Sequence, residues 1–204
     1  FDISDANADK STLTRLRRSR RGTQVLFVGR IAPNKGHHDL VAAVRTLRDL
    51  YQDDAHLHIV GTDGPPGYRR VLDTIVAHAG MRDHVTFHGS VTQEELVAHY
   101  QAADVFCCLS DHEGFCVPII EAMHHGLPVV AYDCTAIGAT VDGGGLLLRE
   151  KSPLTVASAL HRVNKDEHLT GRLKRAGRRR AIDFNRPGTE ALFRDRLLPL
   201  IESA

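Results

Sequence analysis

The chain has 204 residues, of which 42% are hydrophobic and 25% charged, a composition typical of a globular domain. Its 26 lysines and arginines nearly balance its 25 aspartates and glutamates, which gives no support for a dedicated nucleic-acid-binding protein. No apolar run approaches the ~20 residues that a transmembrane helix needs. The four cysteines form no Cys-x-x-Cys pair, so we expect reduced, buried thiols and a cytoplasmic setting.

After a polar, basic leading segment, short apolar runs alternate with segments of helical periodicity. The sequence predicts strands at residues 25–29, 56–61, 84–89, 104–110, 127–132 and 145–148. It predicts helices at residues 36–51, 68–79, 93–103, 118–125, 155–163, 167–184 and 190–201. Short strands separated by helices require parallel pairing through right-handed crossovers. The predicted fold class is therefore α/β, a Rossmann-like open parallel sheet with helices on both faces.

The loop after the first predicted strand, GRIAPNKG, carries two cations, Arg30 and Lys35. Ligands of such sheets bind beyond the carboxyl ends of the strands, and these side chains suit phosphate oxygens. Gly29 and Gly36 would let the backbone approach a ligand closely. Neither a GxGxxG fingerprint nor a P-loop is present. Taken alone, these residues fit a solvated surface loop equally well.

The loop after the fourth predicted strand carries Glu113, and Glu121 follows about one turn into the next helix. Between them, the amides of Phe115, Cys116 and Val117 lie at or near the helix N-terminus. Unsatisfied N–H groups and the helix dipole make such a terminus an anion site. A pair of surface glutamates flanking a helix is the alternative interpretation.

The segments GR-x4-KG and EGF-x5-EA resemble the group 1, retaining nucleotide-sugar glycosyltransferases of the GT-B architecture. The resemblance runs from about residue 25 to about residue 148, includes the stretch at residues 88–106, and matches the C-terminal, donor-binding half of these enzymes. It implies transfer of a sugar from a UDP or GDP sugar to an acceptor, with retention of the anomeric configuration. No further cofactor is implied.

The resemblance also implies catalytic roles for three side chains. Arg30 and Lys35 would bind the donor diphosphate and neutralise the charge that grows as the nucleotide leaves, which stabilises the transition state selectively. Glu113 would lie beside the donor sugar and stabilise its oxocarbenium-like centre. Gly29 would line the donor site.

The remaining implied contacts position the nucleotide. The amides of residues 115–117 would hold the distal phosphate, and Glu121 would accept hydrogen bonds from the ribose hydroxyls. The main chain of Ser90 and Val91 would frame the base. Position 116 is Cys, where the family often has Gly; a main-chain contact to phosphate survives that change.

A metal site is not expected. Among the 13 histidines, His56 and His58 alternate on a predicted strand and could share a face, but the sequence offers no obvious third ligand. The chain has no Asp-x-Asp, the metal-chelating motif of the other large glycosyltransferase architecture. We therefore expect departure of the nucleotide without a metal ion.

The expected domain organisation follows from the resemblance. Residues 1–22 would be a basic linker or leading segment, residues 23–185 the nucleotide-sugar-binding domain, and residues 186–204 a C-terminal helix that contacts a missing N-terminal acceptor domain. The opening at Phe1 suggests a piece of a longer protein. Two basic clusters, at residues 10–21 and 172–180, are either solvated helix faces or a peripheral contact with an anionic membrane at its inner face.

Two other classes of function stay open at this point. One is a nucleotide-sugar epimerase or another GT-B enzyme, such as a sugar phosphorylase, although no pyridoxal-binding motif is evident. The other is a non-catalytic module that binds nucleotide sugars. For a transferase, the acceptor would be a glycan, a lipid-linked sugar or a small molecule.

Overall fold

The computed structural model describes residues 6–184 together with Arg194 and Leu198. Its strands are β1 (Gln24–Val28), β2 (His56–Val60), β3 (Val85–Gly89), β4 (Val105–Cys108), β5 (Val129–Tyr132) and β6 (Leu146–Leu148). Its helices are α1 (Lys10–Arg18), α2 (His37–Tyr51), α3 (Tyr68–His78), α4 (Gln93–Ala102), α5 (Val117–His124), α6 (Ile137–Val141), α7 (Pro153–Lys165) and α8 (Glu167–Ile182).

The strands form one six-stranded sheet in the order β3-β2-β1-β4-β5-β6, and every pair in it is parallel. The predicted α/β, Rossmann-like fold is confirmed. After β1, the chain adds β2 and then β3 on one side of the sheet. After β4, it adds β5 and then β6 on the other side. The elements that follow β1 and β4 therefore lie on opposite sides of the sheet, which leaves a crevice at the carboxyl ends of these two central strands.

The core lies on the central strands. Val25, Leu26 and Phe27 of β1 and Val105 and Phe106 of β4 are buried almost completely, as expected for strands that are covered on both faces. The main helix contacts are those of α2 with α7, α5 with α8, and α1 with α4. This packing fixes the strand ends that carry the candidate site.

Helix α1 lies in the segment that the sequence analysis treated as a basic leader. Its N-cap is Asp9, whose Oδ1 accepts a hydrogen bond of 2.7 Å from the Thr12 amide, and its basic last turn complements the helix dipole. Thr12 and Leu16 are buried, and the helix packs on α4. The predicted leading segment therefore contains a folded element at Lys10–Arg18.

Two short elements, the 3₁₀ turn Pro33–Lys35 and helix α6, were also not predicted, because they are too short to show a hydrophobic period. The helix predicted at residues 190–201 lies outside the described residues, apart from Arg194 and Leu198. None of the described helices is both long and apolar enough to cross a membrane.

His37 is a buried titratable group at the start of α2. Its ring lies edge-on to Phe27, with 4.8 Å between the ring centroids. Burial lowers the pKa of His37 to about 4, since it outweighs the opposing effect of the Ala32 carbonyl. The imidazole is therefore neutral in the folded protein at neutral pH.

We expect His37 to make the protein less stable in mild acid. The unfolded histidine titrates near 6.5 and the folded one near 4, so below pH ~6.5 the unfolded state binds the extra proton. The contribution of the neutral, buried His37 to the free energy of unfolding is complete above pH ~6.5. It declines by up to ~1.4 kcal/mol per pH unit as the pH falls to 4. Denaturant unfolding of the wild type and His37→Leu at pH 7.5, 6, 5 and 4.5 measures this pH dependence of the free energy of unfolding. Equal pH slopes in the two proteins would contradict the prediction.

Candidate active site

The loops after β1 and β4 are in direct contact at the carboxyl edge of the sheet. The Asp111 amide donates a hydrogen bond of 2.9 Å to the Asn34 carbonyl. Gly36 has a left-handed backbone with φ of 66°, and a Cβ atom at this position would press on the carbonyl of Leu109, the residue after β4. Glycine therefore lets the β1 loop lie against β4.

An ion pair joins the two loops. Lys35 Nζ lies 2.7 Å and 2.8 Å from the two carboxylate oxygens of Glu113. The Ser110 hydroxyl donates a further hydrogen bond of 2.7 Å to Glu113 Oε1. The side chains of Lys35 and Glu113 are only 20% and 10% exposed. The structure thus brings together two predicted site residues that are 78 positions apart in sequence.

The backbone of Glu113 is held by Thr135, in the loop after β5. The Thr135 hydroxyl accepts a hydrogen bond of 3.0 Å from the Glu113 amide and donates one of 2.7 Å to the Glu113 carbonyl. Sequence reasoning missed Thr135 because nothing around it indicates that this loop folds back on the β4 loop. Glu113 is therefore fixed from three loops, those after β1, β4 and β5.

The start of α5 is built as predicted, with Pro118 in the first turn. Cys116 is the N-cap in a left-handed conformation with φ of 61°, and its side chain makes no capping hydrogen bond. Within residues 6–184, the amides of Phe115, Cys116 and Val117 donate to no protein acceptor. These N–H groups and the helix dipole are available to an anion.

Glu121 extends from α5 and has a partner that the sequence did not reveal. Tyr100 of α4 is buried, and its hydroxyl donates a hydrogen bond of 2.8 Å to Glu121 Oε2. Burial and the neighbouring Glu121 carboxylate raise the pKa of Tyr100 well above its usual value. The phenol therefore stays protonated and orients the carboxylate.

Three other predicted residues lie around this centre without touching it. Arg30, just after β1, is exposed and forms no ion pair with the part of the chain that the structure describes. Ser90 and Val91 directly follow β3, two positions along the sheet from β1. They share the carboxyl edge of the sheet with the Lys35–Glu113 pair.

All four cysteines are free, with Cys107 and Cys108 buried and Cys116 and Cys134 half-buried. Atoms of Cys108, Glu113 and Cys116 lie within 4.8 Å of one another, a spacing that could hold a metal ion. Glu113 is already held by Lys35 and Ser110, and the sulfur atoms of Cys108 and Cys116 are hydrogen-bonded to each other at 4.0 Å. All three groups therefore have partners within the protein.

Comparison with known proteins decides the family. Residues 14–180 match the model of the glycosyl transferases group 1 family. The chain belongs to this family. It is 35% identical over 163 residues to a GDP-mannose-dependent alpha-(1-6)-phosphatidylinositol monomannoside mannosyltransferase of Mycobacterium tuberculosis. That match covers 76% of this chain and 41% of the relative, so the chain spans less than half of the relative's length.

Solved structures support the fold assignment of this group 1 family member. The sucrose-phosphate synthase of Thermosynechococcus elongatus superposes over 100% of this chain and 52% of its own, with a TM-score of 0.81 and 26% identity. Anabaena HepE, solved in complex with UDP-glucose, superposes over 94% of this chain and 55% of its own, with a TM-score of 0.75 and 23% identity. The latter match shows the fold alone.

We expect Gly36→Ala to destabilise the chain more than Gly80→Ala. Both glycines have φ near 66°, so both substitutions carry the ~1–2 kcal/mol penalty of a left-handed alanine. A Cβ at Gly80 meets nothing within 4 Å, whereas at Gly36 it meets the Leu109 backbone. The added clash should cost a further ~1–3 kcal/mol, measured by denaturant unfolding. Equal losses would show that the two loops are not packed this tightly.

Proposed function

We propose that this chain is the donor-binding half of a retaining glycosyltransferase that uses a nucleotide-diphosphate sugar. The observation that carries the proposal is the Lys35–Glu113 ion pair, with N–O distances of 2.7 and 2.8 Å, at the crevice between β1 and β4. Beside it lie the uncapped amides at the start of α5. One crevice thus holds a cation, a carboxylate and a set of amides that can bind an anion. Together these groups can bind a sugar that is linked to phosphate.

The cations act on the leaving group. Arg30 is unpaired in the described chain and exposed, so its guanidinium can grip two phosphate oxygens at once. Lys35 has a flexible stem and can turn from Glu113 to the phosphate when the donor binds. Negative charge grows on the diphosphate as the sugar departs, so both cations bind the transition state more tightly than the ground state.

Glu113 acts on the sugar. Its backbone is fixed by Thr135 and its carboxylate by Ser110 and Lys35. When Lys35 turns to the phosphate, the carboxylate is left facing the donor and can stabilise positive charge at the anomeric carbon. Cations at the phosphate and a carboxylate at the sugar together favour breaking the bond between them.

The nucleotide is held on the same edge. Glu121, oriented by Tyr100, accepts hydrogen bonds from the ribose hydroxyls, and the main chain of Ser90 and Val91 frames the base. The Mycobacterium tuberculosis relative is named as GDP-mannose-dependent, and HepE was solved with UDP-glucose. GDP and UDP sugars are accordingly the two donor classes to test.

The acceptor half belongs to the proposal rather than to the described residues. In the full enzyme, an acceptor domain would supply a glycan, a lipid-linked sugar or a small molecule. We further propose that transfer needs no metal ion at the donor, since Arg30 and Lys35 supply the positive charge. We place the enzyme in the cytoplasm, where the basic faces of α1 and α8 could contact an anionic membrane.

Donor binding is the first test, by thermal shift of this chain with UDP, GDP, ADP and their sugar conjugates. Ligand at 100 times Kd should stabilise the protein by ~2.7 kcal/mol, which raises Tm by several degrees. We expect one base to be preferred and Arg30→Ala to abolish the shift. Arg45→Ala is the matched control, because Arg45 is exposed on α2 and forms a surface pair with Asp49. A nucleotide shift that survives Arg30→Ala would rule out the phosphate role of Arg30.

Sugar transfer is the second test. In the complete enzyme, we expect Glu113→Gln to lower kcat by roughly 10²- to 10³-fold, the usual effect of losing one transition-state contact. KM for the donor should change little. Glu94→Gln is the control, because Glu94 is exposed on α4.

NMR of the product should show the anomeric configuration of the donor sugar. Unchanged transfer by Glu113→Gln would contradict the catalytic role. Consumption of the donor without any acceptor would instead favour an epimerase.

A further inference from the structure

Three imidazoles converge from three separate elements, away from the β1–β4 crevice. His58 lies in the middle of β2, His88 near the end of β3, and His99 in α4. One ring nitrogen of each lies within 4.8 Å of the others. His58 and His99 are buried and His88 is half-buried. The sequence showed only the His56/His58 alternation, and the fold supplies the other two rings.

The hydrogen bonds of the Gln24 side chain show which ring nitrogen of His58 carries the proton. The Gln24 amide nitrogen donates to the carbonyls of Arg21 and Gly22, so its Oε1 is the atom that faces His58. His58 Nε2, at 3.0 Å from this oxygen, therefore carries the proton. His58 Nδ1 therefore keeps its lone pair and accepts a hydrogen bond of 3.0 Å from His88 Nε2. A metal ion bound between these two nitrogens would take the place of that proton, and His88 would carry its proton on Nδ1 instead.

The hydrogen bond between His58 and Gln24 is the kind that orients a metal-binding histidine. Metal-bound histidines donate their other N–H to an oxygen that fixes the ring, as His58 does to Gln24. A tetrahedral ion with bonds of ~2.0–2.1 Å to nitrogen needs nitrogens about 3.3 Å apart. The His58–His88 pair is within a few tenths of an ångström of that spacing, and His99 must move in from the third side.

A metal ion binds the neutral form of an imidazole through the lone pair of a ring nitrogen. Each of the three rings offers one ring nitrogen to the common centre. Two charged groups act in opposite directions on His99: Arg15 of α1 disfavours a positive charge and Glu95 favours it.

We propose that His58, His88 and His99 form a binding site for a first-row divalent cation of the Zn²⁺ class. Three imidazoles from β2, β3 and α4 select Zn²⁺, Co²⁺, Ni²⁺ or Cu²⁺, whereas Mg²⁺ and Ca²⁺ require oxygen ligands. Three protein ligands leave a fourth position for water.

A cation here would tie β3 to α4 across the turn at residues 89–92, which carries Ser90 and Val91. The ion would be a structural brace for that turn. The metal site has no ligand in common with the donor site, although the turn that it braces carries Ser90 and Val91. The test of the metal site measures metal binding alone. Its failure therefore leaves the proposed donor-binding function intact, and the reverse also holds.

The experiment titrates the chelator-treated chain with Co²⁺, read by visible absorption, and then displaces Co²⁺ with Zn²⁺. We expect one ion per chain and the intense bands of four-coordinate Co²⁺. Zn²⁺ at 100 times Kd should raise Tm by roughly 5–10 °C, and Mg²⁺ should have no effect. His88→Gln and His99→Gln should each weaken binding by more than ~100-fold, beyond the 10- to 100-fold typical of losing an outer contact.

Two controls locate the site. His56→Gln removes the neighbouring ring on β2, whose Nε2 is hydrogen-bonded to Thr86 at 2.8 Å, and should leave the affinity unchanged. His78→Gln removes an exposed histidine and accounts for surface binding. Arg15→Gln should tighten binding several-fold by removing a repelling charge.

The Tm and circular dichroism of each metal-free variant show that it is folded. Absence of the Co²⁺ bands, or affinity unchanged in folded His88→Gln and His99→Gln, would overturn the proposal and leave the three rings as packed neutral side chains.

Discussion

The order of the parallel sheet is the constraint on which the candidate site depends. Since β1 and β4 are neighbours but their following chains run to opposite edges, nothing in the sheet covers the gap between their carboxyl ends. The loops that leave this point must satisfy their own polar groups. They do so with each other, through the Asp111 amide and the Asn34 carbonyl and through Lys35 and Glu113.

The Lys35–Glu113 pair explains how two charged groups are accommodated at the crevice. A carboxylate and an ammonium that are only 10% and 20% exposed would be costly if unpaired, and each neutralises the other. A phosphate can take the ammonium, and a sugar with developing positive charge can take the carboxylate. In the proposed reaction, the donor replaces one ion pair with two interactions.

The fold could be predicted from the sequence more fully than the site. Uninterrupted apolar runs such as residues 25–29 indicate strands covered on both faces, and their ends fell within a few residues of the observed ones. Helix α1 was missed because only two of its residues are buried. Patterns in the sequence could not reveal the partners of the site residues. Thr135, Tyr100 and His99 reach those partners through contacts between loops and helices that are distant in sequence. No local pattern marks such contacts.

The conformation of Cys116 shows why residue identity matters less than backbone geometry at this site. With φ of 61°, a residue other than glycine costs ~1–2 kcal/mol, which is the physical reason for glycine at such a position. The thiol is accommodated against Cys108, with 4.0 Å between the sulfur atoms. Among the described residues, the amides of residues 115–117 have no protein acceptor. If those amides hold the phosphate, the side chain at position 116 adjusts stability and leaves the anion contact itself to the main chain.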